Sequence, residues 1–505
     1  MRTGSAGPAQ GGWLWGRPAG LDGTSLQVGH LRTYDARAGE APLRGSFDSM
    51  TTTSIDADDL HGKRVLVVGL GRFGGGVGVT RWLATRGARV TVLDEADRRS
   101  LAASIDAIAG LDVNLHLGDN DPRRVEGADL VVLNPAIDKR RSALFEAVVR
   151  RGVPWTTEIN LFCERCRARV IGVTGSYGKS TTSAMLFDAL RACEGGESTH
   201  SRTYLGGNIG RSLLEELPDI RADDLVVLEL SNAQLEDLPR IGWTPEVAVI
   251  TNIEPHHLER YDGFEGYVDA KLNIVRDPHR RSTVVVGPLT EQVRTRLSAV
   301  LGGCCDRLIH IAAPPHLRLR VPGRHNLANA AAAWTVCGHL GLPPTPVRGA
   351  IEAFSGLPHR LQHVRCLDQV DYYNDSKSTA PATTIAAVSA FEGPVVVIVG
   401  GQPKSCPDLP ELVRTLVARC RAVVCTGASG PGIATQLRAG PAGSRNISER
   451  AVVEEAADLP AALLAARRLA RHGDAVLFSP AAPSFDAYAN FAERGAHFVR
   501  LVNEL

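Results

Sequence analysis

Lysine is nearly absent from this chain of 505 residues: six lysines stand against fifty arginines, and no block of basic residues longer than three occurs. The formal net charge is only +1, which argues against nucleic acid as a partner, because phosphate-backbone binding needs clustered cations. Arginine can replace a lysine whose only role is positive charge, so the remaining lysines are expected where a primary amine is needed. They are Lys63, Lys139, Lys179, Lys271, Lys377 and Lys404.

Long apolar runs are also missing. The mean hydropathy is −0.05, and no stretch approaches the roughly 20 apolar residues needed to cross a bilayer. The first residues lack the apolar segment of a signal peptide. Cys163 and Cys166 form a single CxxC pair with no second ligand pair nearby, which favours reduced thiols over a zinc site. We therefore expect a cytoplasmic protein with no membrane partner.

The order of apolar segments predicts three domains. Residues 1–55 contain much Gly, Ala, Arg, Ser and Pro without periodic apolar positions, so we expect a disordered tail, with Met50 as the biological start. Beyond it, strand-like runs alternate with helical stretches, which is typical of doubly wound, parallel α/β domains. We place these domains at residues 56–157, 158–356 and 357–505.

A glycine-rich turn follows the first predicted strand, Val65–Val68. The turn reads Gly69-Leu70-Gly71-Arg72-Phe73-Gly74, and a second strand ends at Asp94. This βαβ pattern predicts a Rossmann-like domain that binds an anion at a helix N-terminus, without specifying the nucleotide. A glycine turn without ligand is the alternative.

A second glycine loop, Gly175-Ser176-Tyr177-Gly178-Lys179-Ser180-Thr181, lies between a predicted strand at 169–174 and a helix at 180–191. In such a loop backbone N–H groups surround phosphates, the lysine neutralises charge and the first hydroxyl reaches Mg²⁺. The loop therefore predicts an ATP or GTP site. It departs from the usual spacing, because Val173 stands where a glycine is expected and Gly172 lies one position earlier.

Two later strand ends carry candidate metal ligands. Glu229 ends an apolar run, and His256 and His257 follow another one. Ligands gather at the carboxyl ends of parallel strands, so we expect these groups to lie beside the phosphate loop. Order along the chain favours His257 over His256.

Taken together, these motifs resemble the Mur ligases of peptidoglycan synthesis over about residues 60–505. Further motifs carry the resemblance: Gly206-Gly207-Asn208-Ile209-Gly210, Glu229-Leu230-Ser231 with Gln234, Thr251-Asn252, Ala270-Lys271, Gly323-Arg324-His325-Asn326, Gly356-Leu357-Pro358-His359-Arg360, Asn374-Asp375-Ser376-Lys377, and Ser479-Pro480-Ala481 leading to Ser484 and Phe491.

The resemblance implies an ATP-dependent ligase that adds D-glutamate to UDP-N-acetylmuramoyl-L-alanine through an acyl phosphate, with two Mg²⁺ ions. It implies catalytic roles for Lys179, Glu229, His257, Lys271 and Lys377. Lys271 would be carbamylated, and the metal ligands would be Ser180, Glu229, His257 and Lys271. The ATP-binding residues would be Gly175, Ser176, Tyr177, Gly178, Lys179, Ser180, Thr181, Asn326, Asn329, Arg360 and Asp375.

The same resemblance implies the substrate contacts. The UDP end would lie at Gly69, Gly71, Gly74 and Asp94. The muramoyl-alanine arm would contact Asn208, Ser231 and Gln234. The incoming glutamate would contact Thr379, Lys404, Ser484 and Phe491. Lys63 and Lys139, which have no implied role, are expected to be ordinary surface lysines, and the protein is expected to be a monomer.

Departures from the family pattern keep other readings open. Tyr177 precedes Gly178 where Asn or Lys is usual, and Asn232-Ala233 stands where Ser-Phe is usual. The alternatives are a Mur-type ligase that uses L-glutamate or another amine and carboxylate, and a nucleotide-binding regulatory protein without turnover. An NAD dehydrogenase, suggested by Gly69–Gly74 alone, would leave Lys179 and Lys271 unexplained.

Overall fold

A computed structural model of the protein describes residues 60–72, 74–195, 200–255, 260–276, 282–302, 307–312, 316–402, 409–439 and 451–505. The predicted tail at 1–55 lies outside these residues. The described chain contains three separate β-sheets with helices between their strands.

The first sheet has five parallel strands in the order β3-β2-β1-β4-β5. This is the order of a doubly wound nucleotide-binding domain, with its switch point between β1 and β4. The strands are β1 (Arg64–Val68), β2 (Arg89–Asp94), β3 (Val113–Leu117), β4 (Leu130–Leu133) and β5 (Trp155–Thr157), and the helices are α1 (Gly75–Ala84), α2 (Ala102–Asp106), α3 (Ala143–Arg150) and α4 (Glu158–Arg165).

The second sheet has six parallel strands in the order β11-β10-β9-β6-β8-β7. The strand before the phosphate loop, β6, is central and lies between β9 and β8. The strands are β6 (Arg169–Thr174), β7 (Thr203–Gly207), β8 (Leu225–Glu229), β9 (Val247–Ile250), β10 (Thr283–Val286) and β11 (Leu308–His310), and the helices are α5 (Lys179–Arg191), α6 (Asn232–Leu235), α7 (Gly263–Leu272), α8 (Glu291–Val300), α9 (Arg324–His339) and α10 (Pro344–Ala353).

The third sheet follows the order β12-β13-β17-β14-β15-β16 and corrects the expectation of parallel strands throughout. Its edge strand β12 runs antiparallel to β13, because only a short turn at 368–369 joins them. The strands are β12 (Gln362–Leu367), β13 (Val370–Asn374), β14 (Val395–Val399), β15 (Cys420–Cys425), β16 (Val452–Glu455) and β17 (Ala475–Phe478), and the helices are α11 (Pro381–Ser389), α12 (Leu409–Arg419), α13 (Gly430–Ala439), α14 (Leu459–Leu469) and α15 (Phe491–Glu504).

The central strands form because they are continuous runs of branched aliphatic residues that helices cover on both faces. Val395–Val399 reads Val-Val-Val-Ile-Val and is buried at every position. Among the described residues, no helix is both long enough and apolar enough to cross a membrane. Parallel topology brings the carboxyl ends of the strands in each sheet to one edge, where the glycine-rich and polar loops of the sequence begin.

The first and second sheets are joined by buried polar contacts. The Nζ atom of Lys139 lies 2.6 Å from Oδ2 of Asp237, and the two side chains are 16% and 3% exposed. The prediction that Lys139 is an ordinary surface lysine is therefore wrong, because it neutralises a buried carboxylate 98 residues further along the chain.

Candidate active site

The phosphate loop turns sharply between β6 and α5. Gly178 has a left-handed backbone (φ +82°) and is the N-cap of α5, which has no side-chain cap. A Cβ atom at Gly178 would overlap the amide oxygen of Asn329, and one at Gly175 would overlap the hydroxyl of Thr251. Both glycines are therefore required by close packing, and the first turn of α5 keeps backbone N–H groups for an anion.

Lys179 is the first residue of α5, and its ammonium group folds back over the loop. Its Nζ donates to the carbonyl oxygens of Gly175 at 2.9 Å and Ser176 at 3.2 Å. Burial lowers the pKa of Lys179, and the nearby charge of Glu229 opposes that shift. Lys179 is thus placed where it can neutralise phosphate oxygens bound by the loop.

Lys271, near the end of α7, reaches the same loop from the other side. It is only 1% exposed, and its Nζ donates to the carbonyl of Gly175 at 2.8 Å and to the side-chain oxygen of Asn232. It also lies 4.8 Å from the centre of the Tyr267 ring. Burial, with a contribution from the charge of Lys179, lowers the pKa of Lys271 to about 6. The amine is therefore largely neutral at pH 7.

Glu229 ends β8 beside the loop and is 1% exposed. Its Oε1 accepts a hydrogen bond of 2.8 Å from Nδ2 of Asn208, whereas Oε2 is buried without a hydrogen-bond partner in the described part of the chain. An orphaned buried carboxylate oxygen is costly unless a cation binds it. Glu229, with the hydroxyl of Ser180 on the first turn of α5, therefore fits a hard divalent cation such as Mg²⁺.

The remaining predicted metal ligand cannot be placed, since His256 and His257 lie outside the described residues. Within the described ranges no three His, Cys, Asp or Glu side chains form a metal-binding group.

The third sheet contributes a second group of charges. Burial, followed by the charge of Arg360, lowers the pKa of Lys377, and the charge of Glu229 opposes both effects. Arg360 and Glu229 act in the same directions on Lys179. Lys377 and Arg360 are therefore close enough to the phosphate loop for their charges to act there.

Asp375 is held rigidly at the end of β13. Its Oδ1 accepts from the backbone N–H of Leu361 at 3.1 Å, and its Oδ2 accepts from the hydroxyls of Ser378 at 2.6 Å and Ser479 at 2.8 Å. Burial raises the pKa of Asp375 to about 6, and these hydrogen bonds limit the shift. Asp375 thus fixes the loop that carries Lys377.

Asn326 and Asn329, which are predicted to bind the nucleotide, lie on α9. Hydrogen bonds connect them to each other and to α5, the helix that follows the phosphate loop. Asn329 donates to the side-chain oxygen of Asn326 at 3.3 Å and accepts from the Thr182 hydroxyl at 3.2 Å.

Of the remaining loop residues, Ser180 and Thr181 lie on the first turn of α5, and Tyr177 is 49% exposed. The backbone of Tyr177 is held by Asn252, whose Oδ1 accepts from its N–H at 3.0 Å.

A cavity of about 260 Å³ connects the first glycine turn to the phosphate-loop side of the second sheet. Asp94 holds the turn: its Oδ2 accepts from the N–H of Gly71 and its Oδ1 from the N–H of Ala96, both at 2.9 Å. The described lining brings together these predicted substrate residues: Gly69, Gly71, Asn208, Ser231 and Gln234. Gly74, with φ +91°, caps α1 next to the cavity and leaves that helix without a side-chain cap.

The predicted glutamate-binding residues lie at the carboxyl edge of the third sheet. The backbone N–H of Thr379 donates to the carbonyl of Lys377 at 3.0 Å, and Ser484 is buried just before α15. Phe491 begins α15, and its ring centre lies 5.8 Å from Nζ of Lys377. Lys404 lies outside the described residues, so its place in this group stays a prediction.

Sequence reasoning missed two residues that shape the site. Tyr267 shares a hydrogen bond of 2.8 Å with the hydroxyl of Ser176. Arg494, which is 3% exposed, donates to the hydroxyl and carbonyl of Ser376, each at 3.0 Å, and to the carbonyls of Ala482 at 3.0 Å and Pro483 at 3.1 Å. Neither residue lies in a recognisable motif, so no pattern in the sequence would have identified them.

Comparison with known protein families matches all three parts of the chain. The descriptions that match are "Mur ligase MurD-like, N-terminal domain" at residues 63–156, "Mur ligase middle domain" at 173–301 and "Mur ligase, glutamate ligase domain" at 359–482. The chain belongs to the Mur ligase family, whose members are ligases.

Among curated relatives, the UDP-N-acetylmuramoylalanine–D-glutamate ligase of Symbiobacterium thermophilum is 37% identical over 88% of this chain and 98% of its own length. The ligase of the same name from Roseiflexus sp. is 36% identical over 88% and 99%. Among solved structures, the Thermotoga maritima ligase MurC has a TM-score of 0.50 at 19% identity, covering 87% of this chain and 99% of its own, which supports the fold alone.

Proposed function

We propose that this protein is an ATP-dependent ligase that joins D-glutamate to UDP-N-acetylmuramoyl-L-alanine in peptidoglycan precursor synthesis, acting in the cytoplasm as a monomer. Its relatives with full-length similarity carry the name of this activity. The observation on which the proposal depends is the meeting of Lys179, Lys271 and Glu229 at one phosphate loop. No observed feature favours L-glutamate or another substrate pair.

The chemistry begins with a carboxylate, which is a poor acyl donor until it carries a phosphoryl group. The γ-phosphoryl group of ATP is transferred to the alanine carboxylate, the amine of glutamate attacks the acyl carbon, and inorganic phosphate leaves. Phosphoryl transfer depends on positioning and charge neutralisation. The loop N–H groups, Lys179 and Lys377 would hold the phosphates, and Asn326 and Asn329 would lie toward the nucleoside.

Mg²⁺, when bound, would neutralise charge on the phosphate and acceptor oxygens. Ser180 and Glu229 would hold one ion, because the buried Oε2 of Glu229 has no other partner among the described residues. His257 and Lys271 would support a second ion.

Lys271 has a structural reason to be the modified residue. Its amine is buried, and its pKa near 6 leaves the nitrogen lone pair free at neutral pH. The neutral amine can attack CO₂ and release one proton, which gives a carbamate that carries a negative charge. Such a group next to Gly175 would supply oxygen ligands where the unmodified side chain supplies none.

The substrates would extend away from the loop in two directions. The cavity at the first sheet would hold the UDP end at Gly69, Gly71 and Gly74, and Asn208, Ser231 and Gln234 would lie along the muramoyl-alanine arm. Thr379, Lys404, Ser484 and Phe491 would receive glutamate, and Arg360 and Asp375 would lie on the nucleotide side of the third domain.

The test is an assay of purified protein with UDP-N-acetylmuramoyl-L-alanine, ATP, Mg²⁺ and either enantiomer of glutamate. We expect phosphate release and a new amide with D-glutamate only. Hydroxylamine added without glutamate should trap the acyl phosphate as a hydroxamate. Turnover with L-glutamate alone would refute the proposed specificity, and binding of ATP without hydroxamate formation would favour a regulatory protein.

A further inference from the structure

One carboxylate in the substrate cavity has no role so far. Glu158 is the first residue of α4, where the chain passes from the first sheet to the second, and it lines the 260 Å³ cavity together with Asn208, Ser231 and Gln234. Its Oε1 accepts a hydrogen bond of 2.5 Å from the hydroxyl of Ser212. Within the described residues its Oε2 makes no hydrogen bond.

Glu158 also lacks a cationic partner. Among the described residues that line the cavity, the other charged side chain is Arg72, and its charge is not among the causes that shift the pKa of Glu158. The thiol of Cys163, further along the same helix, is the titratable group whose pKa responds to the charge of Glu158. The side chain is half-buried and desolvation raises its pKa, so a hydrogen-bond donor at the second carboxylate oxygen would stabilise the ionised form.

Packing around Glu158 holds it in place. Ser212 accepts the backbone N–H of Leu214 at 3.3 Å while it donates to Glu158. A Cβ atom at Gly78 of α1 would overlap Ser212, so the helix of the first sheet packs directly on this pair. The side chain is therefore pre-oriented by both domains, which is the arrangement expected of a recognition residue.

We propose that Glu158 is a specificity-determining residue that accepts a hydrogen bond from an uncharged N–H or O–H group in the sugar–peptide arm of the sugar-nucleotide substrate. This inference rests on the proposed function. The cavity contains both the glycine turn for the nucleotide end and the residues near the acceptor carboxylate, so Glu158 faces the part of the ligand between them. A carboxylate oxygen there favours neutral donors and disfavours a second anion.

The experiment compares equilibrium binding of UDP-N-acetylmuramoyl-L-alanine and of UDP alone to the full-length protein. Glu158→Ala should weaken binding of the full substrate by about 10- to 100-fold, the range for a hydrogen bond to a charged group, and change UDP binding by less than about 2-fold. The matched control is Glu164→Gln, a carboxylate on the same helix that pairs with Arg165 outside the cavity, and it should leave both affinities unchanged.

A second variant separates recognition from structure. Glu158→Gln keeps the shape and an acceptor oxygen, so it should bind the full substrate better than Glu158→Ala does. Burial raises the pKa of Glu158 to about 7, so the wild-type side chain is ionised mainly above pH 7. The affinity advantage of wild type over Glu158→Gln should therefore shrink as the pH falls from 8 to 6.

The outcomes are distinguishable. Equal losses for UDP and full substrate, or an unchanged affinity for full substrate in Glu158→Ala, would overturn the role of Glu158 while leaving the ligase function intact. A pH-independent difference between wild type and Glu158→Gln would also count against it. Failure of the wild type to bind the sugar-nucleotide at all would instead overturn the proposed function, and this inference with it.

Discussion

The two glycine turns of this protein use the same backbone device in different electrostatic surroundings. Each follows a central strand of a parallel sheet, and each ends in a left-handed glycine, Gly74 or Gly178, that caps a helix without a side-chain cap. The first turn is held by Asp94, which accepts backbone N–H groups. The second is surrounded by two lysines whose pKa values are lowered by burial. The same backbone turn can therefore serve different purposes. The charges placed around it set the chemistry that it can support.

The sharpest test of this contrast is Lys271→Arg. A guanidinium cannot form a carbamate and stays charged, whereas the Lys271 amine is largely neutral at pH 7. We expect kcat to fall by roughly 10³-fold, the scale of losing one group that stabilises transition-state charge. Steady-state phosphate release measures the effect, and Lys63→Arg, outside the site, is the control.

Lys271→Ala sharpens the same result, because it leaves a space where the lysine side chain lay. Short carboxylic acids should restore part of the activity by supplying the missing carboxylate. Full activity of Lys271→Arg would show that no carbamate is needed at this position.

The caps themselves provide the next comparison. Gly178→Ala combines a left-handed backbone with overlap against Asn329, whereas an added Cβ at Gly74 meets nothing within 4 Å. The backbone strain is about 1–2 kcal/mol at either site. We therefore expect Gly178→Ala to weaken ATP binding by roughly 10- to 100-fold and Gly74→Ala to have a smaller effect, on UDP-substrate binding only. Equal effects in nucleotide-binding titrations would refute the contrast.

Asp94→Asn tests whether the charge of the first turn's anchor matters. The amide retains one oxygen acceptor but loses the charge-assisted hydrogen bonds to the N–H groups of Gly71 and Ala96. We expect the KM for the sugar-nucleotide to rise by about 10-fold, and the KM for ATP to stay constant. A change in the KM for ATP of similar size would mean that the two turns are coupled.

The last prediction concerns stability rather than activity. Burial lowers the pKa of Lys271 to about 6 from its usual value of 10.5, so between these pH values the unfolded chain binds more protons and the free energy of unfolding rises with pH. Lys271→Met should remove this part of the slope and raise the Tm most at the acidic end. Thermal unfolding at pH 6 and pH 9 in CO₂-free buffer measures it; an unchanged slope would contradict the lowered pKa.

Much of the fold was predictable because the central strands are uninterrupted aliphatic runs. The strand predicted at 169–174 before the phosphate loop has the same bounds as β6. Edge strands such as β3 (Val-Asn-Leu-His-Leu) and β16 (Val-Val-Glu-Glu) were not predicted, because their sequences mix polar and apolar residues. The antiparallel β12 was not predicted, because the two-residue turn Asp368-Gln369 that reverses the chain contains no glycine, the residue that usually marks such a hairpin.

The candidate site divides in a similar way. Residues in contiguous motifs, such as Lys179, were predictable because spacing along the chain sets their geometry. The role of Asn232, noted in the sequence only as a departure, emerges from its contact with Lys271 39 residues away. The pairing of Lys139 with Asp237 and the contacts of Arg494 depend equally on distant segments, which no local pattern encodes.

Arg494 has a consequence for engineering this enzyme. Its guanidinium joins the segment around Ser376 to the segment at Ala482 and Pro483, more than a hundred residues apart, from a helix that follows both. A graft that imports either segment alone from another family member would break the hydrogen bonds by which Arg494 holds the two segments together. Exchanging amine specificity between relatives should therefore succeed only when both segments and α15 are transplanted together as one module.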